Sequence, residues 1–272
     1  MKKPIIIVGF TIMLLNFVAM GQTKITVNAG QKIHLVNNTM SNITQSVQGN
    51  DMEIKSNTTL DLDVEVKEAT PDIHLSNTIT RLQLKSEAMG NTTNFDSDKQ
   101  EDKDGQIGQL LKDVMGKPLD MFLTVKGETV KNKNVNDPSV ETAKNLISNL
   151  EDLGLELLLA VPATMKAGDV WVNEINTDSS NKKKTNYTVK SGNLTEVVVS
   201  FTGTETAKKA KTMRGMDAII TFNSSFSGEI TVEAKTGIIK QKTTITEAKG
   251  ITEVMGQSIP FTLKQTVTSN SK

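Results

Sequence analysis

Sixteen consecutive residues, Met52 to Lys67, alternate without interruption: Met52, Ile54, Ser56, Thr58, Leu60, Leu62, Val64 and Val66 share one parity, and Glu53, Lys55, Asn57, Thr59, Asp61, Asp63, Glu65 and Lys67 the other. Successive side chains of a strand point to opposite faces, so this run predicts one long strand with a dry face and a wet face. Parallel sheets are covered on both sides, so a strand wet on one face belongs to an antiparallel sheet.

The flanking residues extend the pattern. Ile33, Leu35, Ile43 and Val47 lie on one parity, and Gly49-Asn50-Asp51 supplies a hairpin turn into the long strand. Ala69-Thr70-Pro71-Asp72 turns the chain again, and Ile73, Leu75 and Ile79 start a third strand. Its apolar parity then shifts to Leu82 and Leu84, which predicts a bulge near Arg81. Ala88-Met89-Gly90-Asn91 is a further turn.

The middle differs in kind. Ile107, Leu110, Leu111 and Val114 carry the spacing of an amphipathic helix, and a strand from Leu119 to Val125 turns at Lys126-Gly127. Asp137-Pro138 opens a second helix with Val140, Ala143, Ile147 and Leu150 as its stripe, followed after Gly154 by the apolar run Leu155 to Leu159. From Val170 the β pattern returns. Strands are expected over 170–177, 185–191, 194–202, 217–227, 229–234, 238–246, 251–255 and 259–268, with Lys182-Lys183-Lys184 as a solvated turn tip. The fold class expected is mainly β (α+β): a large curved antiparallel sheet or open barrel with two mid-chain helical segments.

Residues 1–21 have the anatomy of an export signal, with Lys2 and Lys3, an apolar run from Ile5 to Met20 and small residues at Ala19 and Gly21. Cleavage after Gly21 leaves residues 22–272 as a single β-rich domain, soluble, periplasmic or extracellular. A division of that domain into two similar halves, 22–131 and 162–272, joined by a helical segment 132–161, is compatible with the sequence. The similarity rests on Ile43-Thr44-Gln45 and Ile251-Thr252-Glu253, each of which leads into a turn glycine. No cysteine follows the apolar run, which excludes a thioether-linked lipid anchor, and no transmembrane span is expected because the run is short and carries Asn16.

Without Lys2 and Lys3 the chain has 29 basic and 31 acidic side chains, a net charge of −2. Such a surface has no electrostatic footprint for nucleic acid. Only Arg81 and Arg214 are arginines, so bidentate phosphate clamps are scarce. With two histidines and no cysteine, the chain lacks the usual metal-ligand set and any thiol nucleophile, and neither a G-x-S-x-G elbow nor a phosphate loop occurs. The acidic stretch Asp96 to Gly105 departs from a calcium loop, because Glu101 occupies the position that needs glycine, and it reads as an exposed loop before a helix. No cofactor, no metal and no catalytic set is expected.

Apolar surface remains. Met89 and Met255 precede turn glycines, where polar residues are usual, and Met is favoured on adaptable apolar binding surfaces. The expected function is a non-enzymatic module that binds an apolar or amphipathic small molecule or lipid between sheet and helices. Its candidate lining is Leu60, Leu62, Val64, Met89, Leu155, Leu158, Trp171, Phe222 and Met255. The alternative is a structural or interaction protein of the cell envelope with a filled core.

Several short segments occur in a recognisable order: Gly30-Gln31-Lys32-Ile33, Phe95-Asp96-Ser97, Gly116-Lys117-Pro118, Val125-Lys126-Gly127-Glu128, and Pro162 followed by Gly168-Asp169-Val170-Trp171. Together with the signal segment they resemble a family of uncharacterised exported proteins, a domain of unknown function common in the Bacteroidota. The resemblance implies Gram-negative export and a β-rich fold, and it brings no catalytic residues. Long hairpins with helices between them are also similar to the open half-barrels of periplasmic lipoprotein carriers, a likeness of fold alone.

Overall fold

The computed structural model describes residues 25–47, 49–130, 156–162, 164, 166–176, 180–213 and 216–272, with 176, 211–213 and 216 described by backbone alone. Residues 1–21, read from sequence as an export signal, the helix expected at 137–150 and Leu155 lie outside these residues.

Eleven strands form one antiparallel sheet: β1 Lys32–Val47, β2 Asn50–Glu68, β3 Ile73–Ala88, β4 Asn91–Asp96, β5 Pro118–Leu123, β6 Val170–Asn176, β7 Lys182–Gly192, β8 Glu196–Met213, β9 Met216–Glu233, β10 Ile239–Val254 and β11 Gln257–Ser271. Their order is β4-β3-β2-β1-β11-β10-β9-β8-β7-β6, and β5 shares the edge of β3 with β4. The two ends of this order do not pair, so the sheet is open. Two short helices, α1 Gln100–Asp104 and α2 Gln106–Leu111, follow β4. Among the described residues no helix is long and apolar enough to cross a membrane.

The expected alternation is realised in β2, where Leu60, Leu62, Val64 and Val66 are buried while Asp63 and Lys67 are exposed. The bulge in β3 is also present. Asp61 pairs with Arg81 and Leu62 with Ile79, so Thr80 is the extra residue, and its hydroxyl donates to the Asp61 carbonyl at 3.2 Å. The quoted Phe95-Asp96-Ser97 segment ties β4 to β3. Ser97 Oγ accepts from Leu82 N at 2.9 Å, and Arg81 and Gln83 donate to the Asp96 carboxylate. The Arg81 guanidinium holds that carboxyl well below the usual carboxylate range. The acidic stretch that follows is therefore partly built in: α1 occupies it, and Asp102 Oδ2 accepts from Asp96 N at 2.8 Å.

Three expectations are corrected. Strands expected at 194–202, 217–227, 229–234, 238–246 and 251–255 merge into the three long strands β8, β9 and β10, which run through Gly203, Gly228 and Gly250 without breaking. Lys182-Lys183-Lys184 opens β7 and is no turn tip. The segment expected to be helical to residue 161 is, over residues 156–161, a non-helical strap. Its polar backbone is taken up by the β9–β10 turn: Leu158 bridges Ile238, Leu159 N donates to Gly237 O and Ile239 N to Leu157 O, both at 2.8 Å.

Two packed clusters lie on the same face of the sheet, here called the inner face. One joins β1, β2, β3 and β5 under Leu111, Val114, Leu157 and Leu158, with Leu62, Ile73, Leu75 and Ile79 fully enclosed. The other joins β6 to β10 under Val161, with Val189, Val197, Val199 and Val232 at its centre. Each enclosed Leu, Ile or Val contributes about 1.5–3 kcal/mol relative to exposure.

Candidate functional site

Between the two clusters the inner face is not filled. A cavity of about 420 Å³ is bounded by residues of β1, β11, β10, β9, β8 and β7 and by Glu156 of the strap. Six flat strands span about 24 Å, so one cavity bounded by both β1 and β7 requires the sheet to curl around it.

The strand register gives the cavity its layers. Nearest the strap, Asn37, Ser269, Lys242 and Ile230 are cross-strand partners on β1, β11, β10 and β9. In the next layer Thr39, Val267, Thr244, Gly228, Phe201 and Tyr187 follow in order. Two layers further toward the β10–β11 turn come Ile43, Leu263, Ala248, Ser224, Glu205 and Lys183, and beyond them Phe261, Gly250 and Phe222. The layer between them, Ser41, Gln265, Thr246, Phe226, Gly203 and Thr185, is mostly polar, so polar groups run the length of the wall and the apolar and aromatic side chains are interleaved with them.

Glycine shapes the aromatic part. A Cβ on Gly203 would lie 2.3 Å from Phe226 Cζ, one on Gly228 2.6 Å from Phe201 Cζ, and one on Gly250 2.7 Å from Phe261 Cζ. These rings occupy the space that a side chain would fill, so they lie down on the sheet and leave room above it. Glycine inside a strand marks such close approaches. Phe201 and Phe226 form a reciprocal pair with their glycines, because Phe201 pairs with Gly228 and Gly203 with Phe226.

Charge is distributed along the same wall. Lys242 and Glu156 form an ion pair at 2.6 Å with side chains only 14% and 17% exposed. Ser269 Oγ lies 3.5 Å from the same glutamate. The ammonium groups of Lys242, Lys183 and Lys209 stand 5.8, 5.3 and 5.8 Å from the ring centres of Phe201, Phe226 and Phe222. Such cation–π contacts stabilise charge where water is partly excluded. Burial pushes the Tyr187 hydroxyl up to about 12 against a smaller opposing effect from Thr185. Two polar atoms of the wall have no partner among the described residues: Asn37 Oδ1, on a residue 5% exposed, and the buried Thr244 Oγ1.

Of the residues proposed from sequence, Phe222 lines the cavity. Trp171 stacks on the lining Tyr187 with ring centres 4.8 Å apart, and so forms its second layer. Leu60, Leu62, Val64 and Leu158 belong to the first packed cluster and are core side chains. Met89 and Met255 are 78% and 80% exposed turn residues at positive φ, away from the cavity wall. Sequence reading missed Asn37, Thr244, the Lys242–Glu156 pair, Lys183 and the rings of Phe201, Phe226 and Phe261. One signal was available: Phe201 and Gly228, and Gly203 and Phe226, are equidistant in sequence from the midpoint between Met213 and Met216.

Elsewhere, His34 hydrogen-bonds Asp63 at 2.9 Å and His74 hydrogen-bonds Asp120 at 3.0 Å while stacking on Phe122. Among the described residues no group of three or more His, Cys, Asp or Glu could hold a metal ion.

Residues 70–161 match a family of unknown function, DUF6263. No curated protein matches the chain. Among solved structures, lipovitellin, in a structure concerned with lipid–protein interactions, superposes with a TM-score of 0.54 at 14% identity, covering 90% of this chain and 25% of lipovitellin. That likeness is one of fold, and this chain spans about a quarter of the lipovitellin chain. An outer membrane channel from Pseudomonas putida F1 covers 92% of this chain and 98% of its own at 7% identity, but its TM-score of 0.26 is too low to bear on the fold.

Proposed function

We propose that this protein is an exported binding module that holds an apolar or amphipathic small molecule or lipid in the inner-face cavity. The observation that carries the reading is the cavity: about 420 Å³, walled by Tyr187, Phe201, Phe222, Phe226 and Phe261, and kept open by glycines beneath three of those rings. Ligand sites are concave, mostly apolar and of roughly 300–1,000 Å³, with a few placed polar groups. Lipovitellin's lipid–protein interactions on a similar fold agree with this reading by analogy. Export rests on the segment of residues 1–21, whose basic start and apolar run read as a signal.

The test is mass spectrometry of an organic extract from protein purified without detergent from its native host. An apolar or amphipathic species in stoichiometric amount supports the reading. A clean extract, together with no change in Trp171 fluorescence on titration with long-chain amphiphiles, favours an envelope protein with a filled interior. Intact mass of the exported protein tests the leader, the expected product beginning at Gln22.

A further inference from the structure

The cavity's polar end constrains the head group of its ligand. Asn37 Oδ1 is an acceptor only, the residue is more than nine-tenths buried, and the oxygen has no partner among the described residues. Thr244 Oγ1, one layer on, is also unpartnered, and as a hydroxyl it can accept or donate. A buried acceptor without a donor is costly, and most native proteins satisfy such groups. Charge at this level is already balanced, because Lys242 is neutralised by Glu156 at 2.6 Å. An anionic head placed here would face the Asn37 oxygen and the Glu156 carboxylate, whereas an uncharged head with O–H or N–H donors satisfies the two oxygens once a side-chain rotation turns each from its buried position toward the cavity. From Thr244 the wall continues past Ser41, Thr246 and Gln265, and Phe226, Leu263, Phe222 and Phe261 beside and beyond them offer apolar contact for a chain.

We infer that the ligand is an amphiphile with an uncharged, hydrogen-bond-donating head, hydroxyl or amide, seated head-first on Asn37 and Thr244. This rests on the binding reading above and specifies the chemistry of that site. The polar oxygens then select the head, and the aromatic wall accepts the chain without strong selection of its length. The remaining cavity cations, Lys183 and Lys209, lie nearer the turns beside Glu205, with Lys209 and Glu205 4.0 Å apart.

The experiment titrates the full chain with monoolein, oleate and methyl oleate below their aggregation limits and follows Trp171 fluorescence, for the wild type, Asn37→Leu, Thr244→Val and Lys183→Gln. Monoolein, which donates, is expected to bind about tenfold tighter than methyl oleate, which cannot. Asn37→Leu should weaken monoolein about tenfold, leave methyl oleate unchanged, and raise the melting temperature of the ligand-free protein by removing the orphaned acceptor. A merely structural Asn37 would instead lose stability without this selectivity. Should Asn37→Leu fail to fold, Thr244→Val and the wild-type ranking still decide. Equal binding of all three amphiphiles overturns the head-group inference and leaves the binding reading standing. Preferred binding of oleate that Lys183→Gln abolishes also overturns it, and places an anionic head near the turns. Binding of none of the three, with a clean native extract, overturns the binding reading itself.

Discussion

Gly203→Ala reverses an ordinary expectation. Alanine in place of a strand glycine usually stabilises by about 0.5–1 kcal/mol, because the unfolded chain has less freedom to lose. Here the new Cβ would stand 2.3 and 2.5 Å from two atoms of the Phe226 ring and 2.4 Å from the Lys184 carbonyl oxygen. Both neighbours must give, and overpacking of this kind costs about 1–3 kcal/mol. The clash outweighs the entropy gain, for a net loss of about 1–2 kcal/mol, or roughly 2–8 °C in melting temperature for a chain of this size. Urea unfolding and thermal melts measure it. A double-mutant cycle with Phe226→Leu divides the cost, since the smaller side chain relieves the ring contacts while the Lys184 carbonyl contact remains. The cycle should return a coupling of at least about 0.5 kcal/mol. A Gly203→Ala protein as stable as wild type, or more so, would refute the claim that the glycine seats the ring, and with it the account of why the cavity stays open.

Four further outcomes are expected. Leu62→Asp buries an unpaired charge where exposure is 0% and should cost roughly 3 kcal/mol or more, whereas Asp63→Ala, next along the strand and 66% exposed, should stay within about 1 kcal/mol in chemical denaturation. Lys242→Met leaves Glu156 without its cation and should cost roughly 3 kcal/mol, much of it recovered in the Lys242→Met/Glu156→Leu double variant by the same assay. Tyr187 is the only tyrosine, so phenolate absorbance isolates it: ionisation should wait until about pH 12 in the folded protein and occur near 10 in denaturant. Its stabilising effect is thus complete below about pH 10 and lost as pH rises from there through 12. Asp96 is shifted downward by Arg81, so the melting-temperature advantage of wild type over Asp96→Asn should be full above the unfolded value near 4 and should close as pH falls below it.

The sheet was legible where one physical signal dominated. Strict alternation over Met52 to Lys67 determined which face of β2 is dry, and the parity shift after Ile79 located the bulge, because a half-buried strand leaves little freedom in either. The same reasoning failed at Gly203, Gly228 and Gly250. The strands expected from sequence leave all three glycines outside, although glycine within a strand also serves to admit a neighbouring ring. The strap failed for a related reason. Leu157, Leu158, Ala160 and Val161 are buried on both parities, so their apolar run carries no period that separates helix from extended chain.

The candidate site was harder still, since what defines it is not a residue type. Leu60, Leu62 and Val64 were chosen for being apolar on a dry face, which is what makes them good core and leaves nothing for a ligand to touch. Asn37 shares that face and parity with Leu35, and sequence alone reads it as a polar interruption of a strand. Its significance comes from three strands lying side by side: the register sets it beside Ser269 and Lys242, the strap brings Glu156 onto Lys242, and the lysine is thereby spent on the glutamate. The asparagine oxygen then has burial without a partner. Stability alone would favour Leu at position 37, as at Leu35, so a buried acceptor kept there at a cost is the observation that a donor-bearing ligand would explain and a filled core would not.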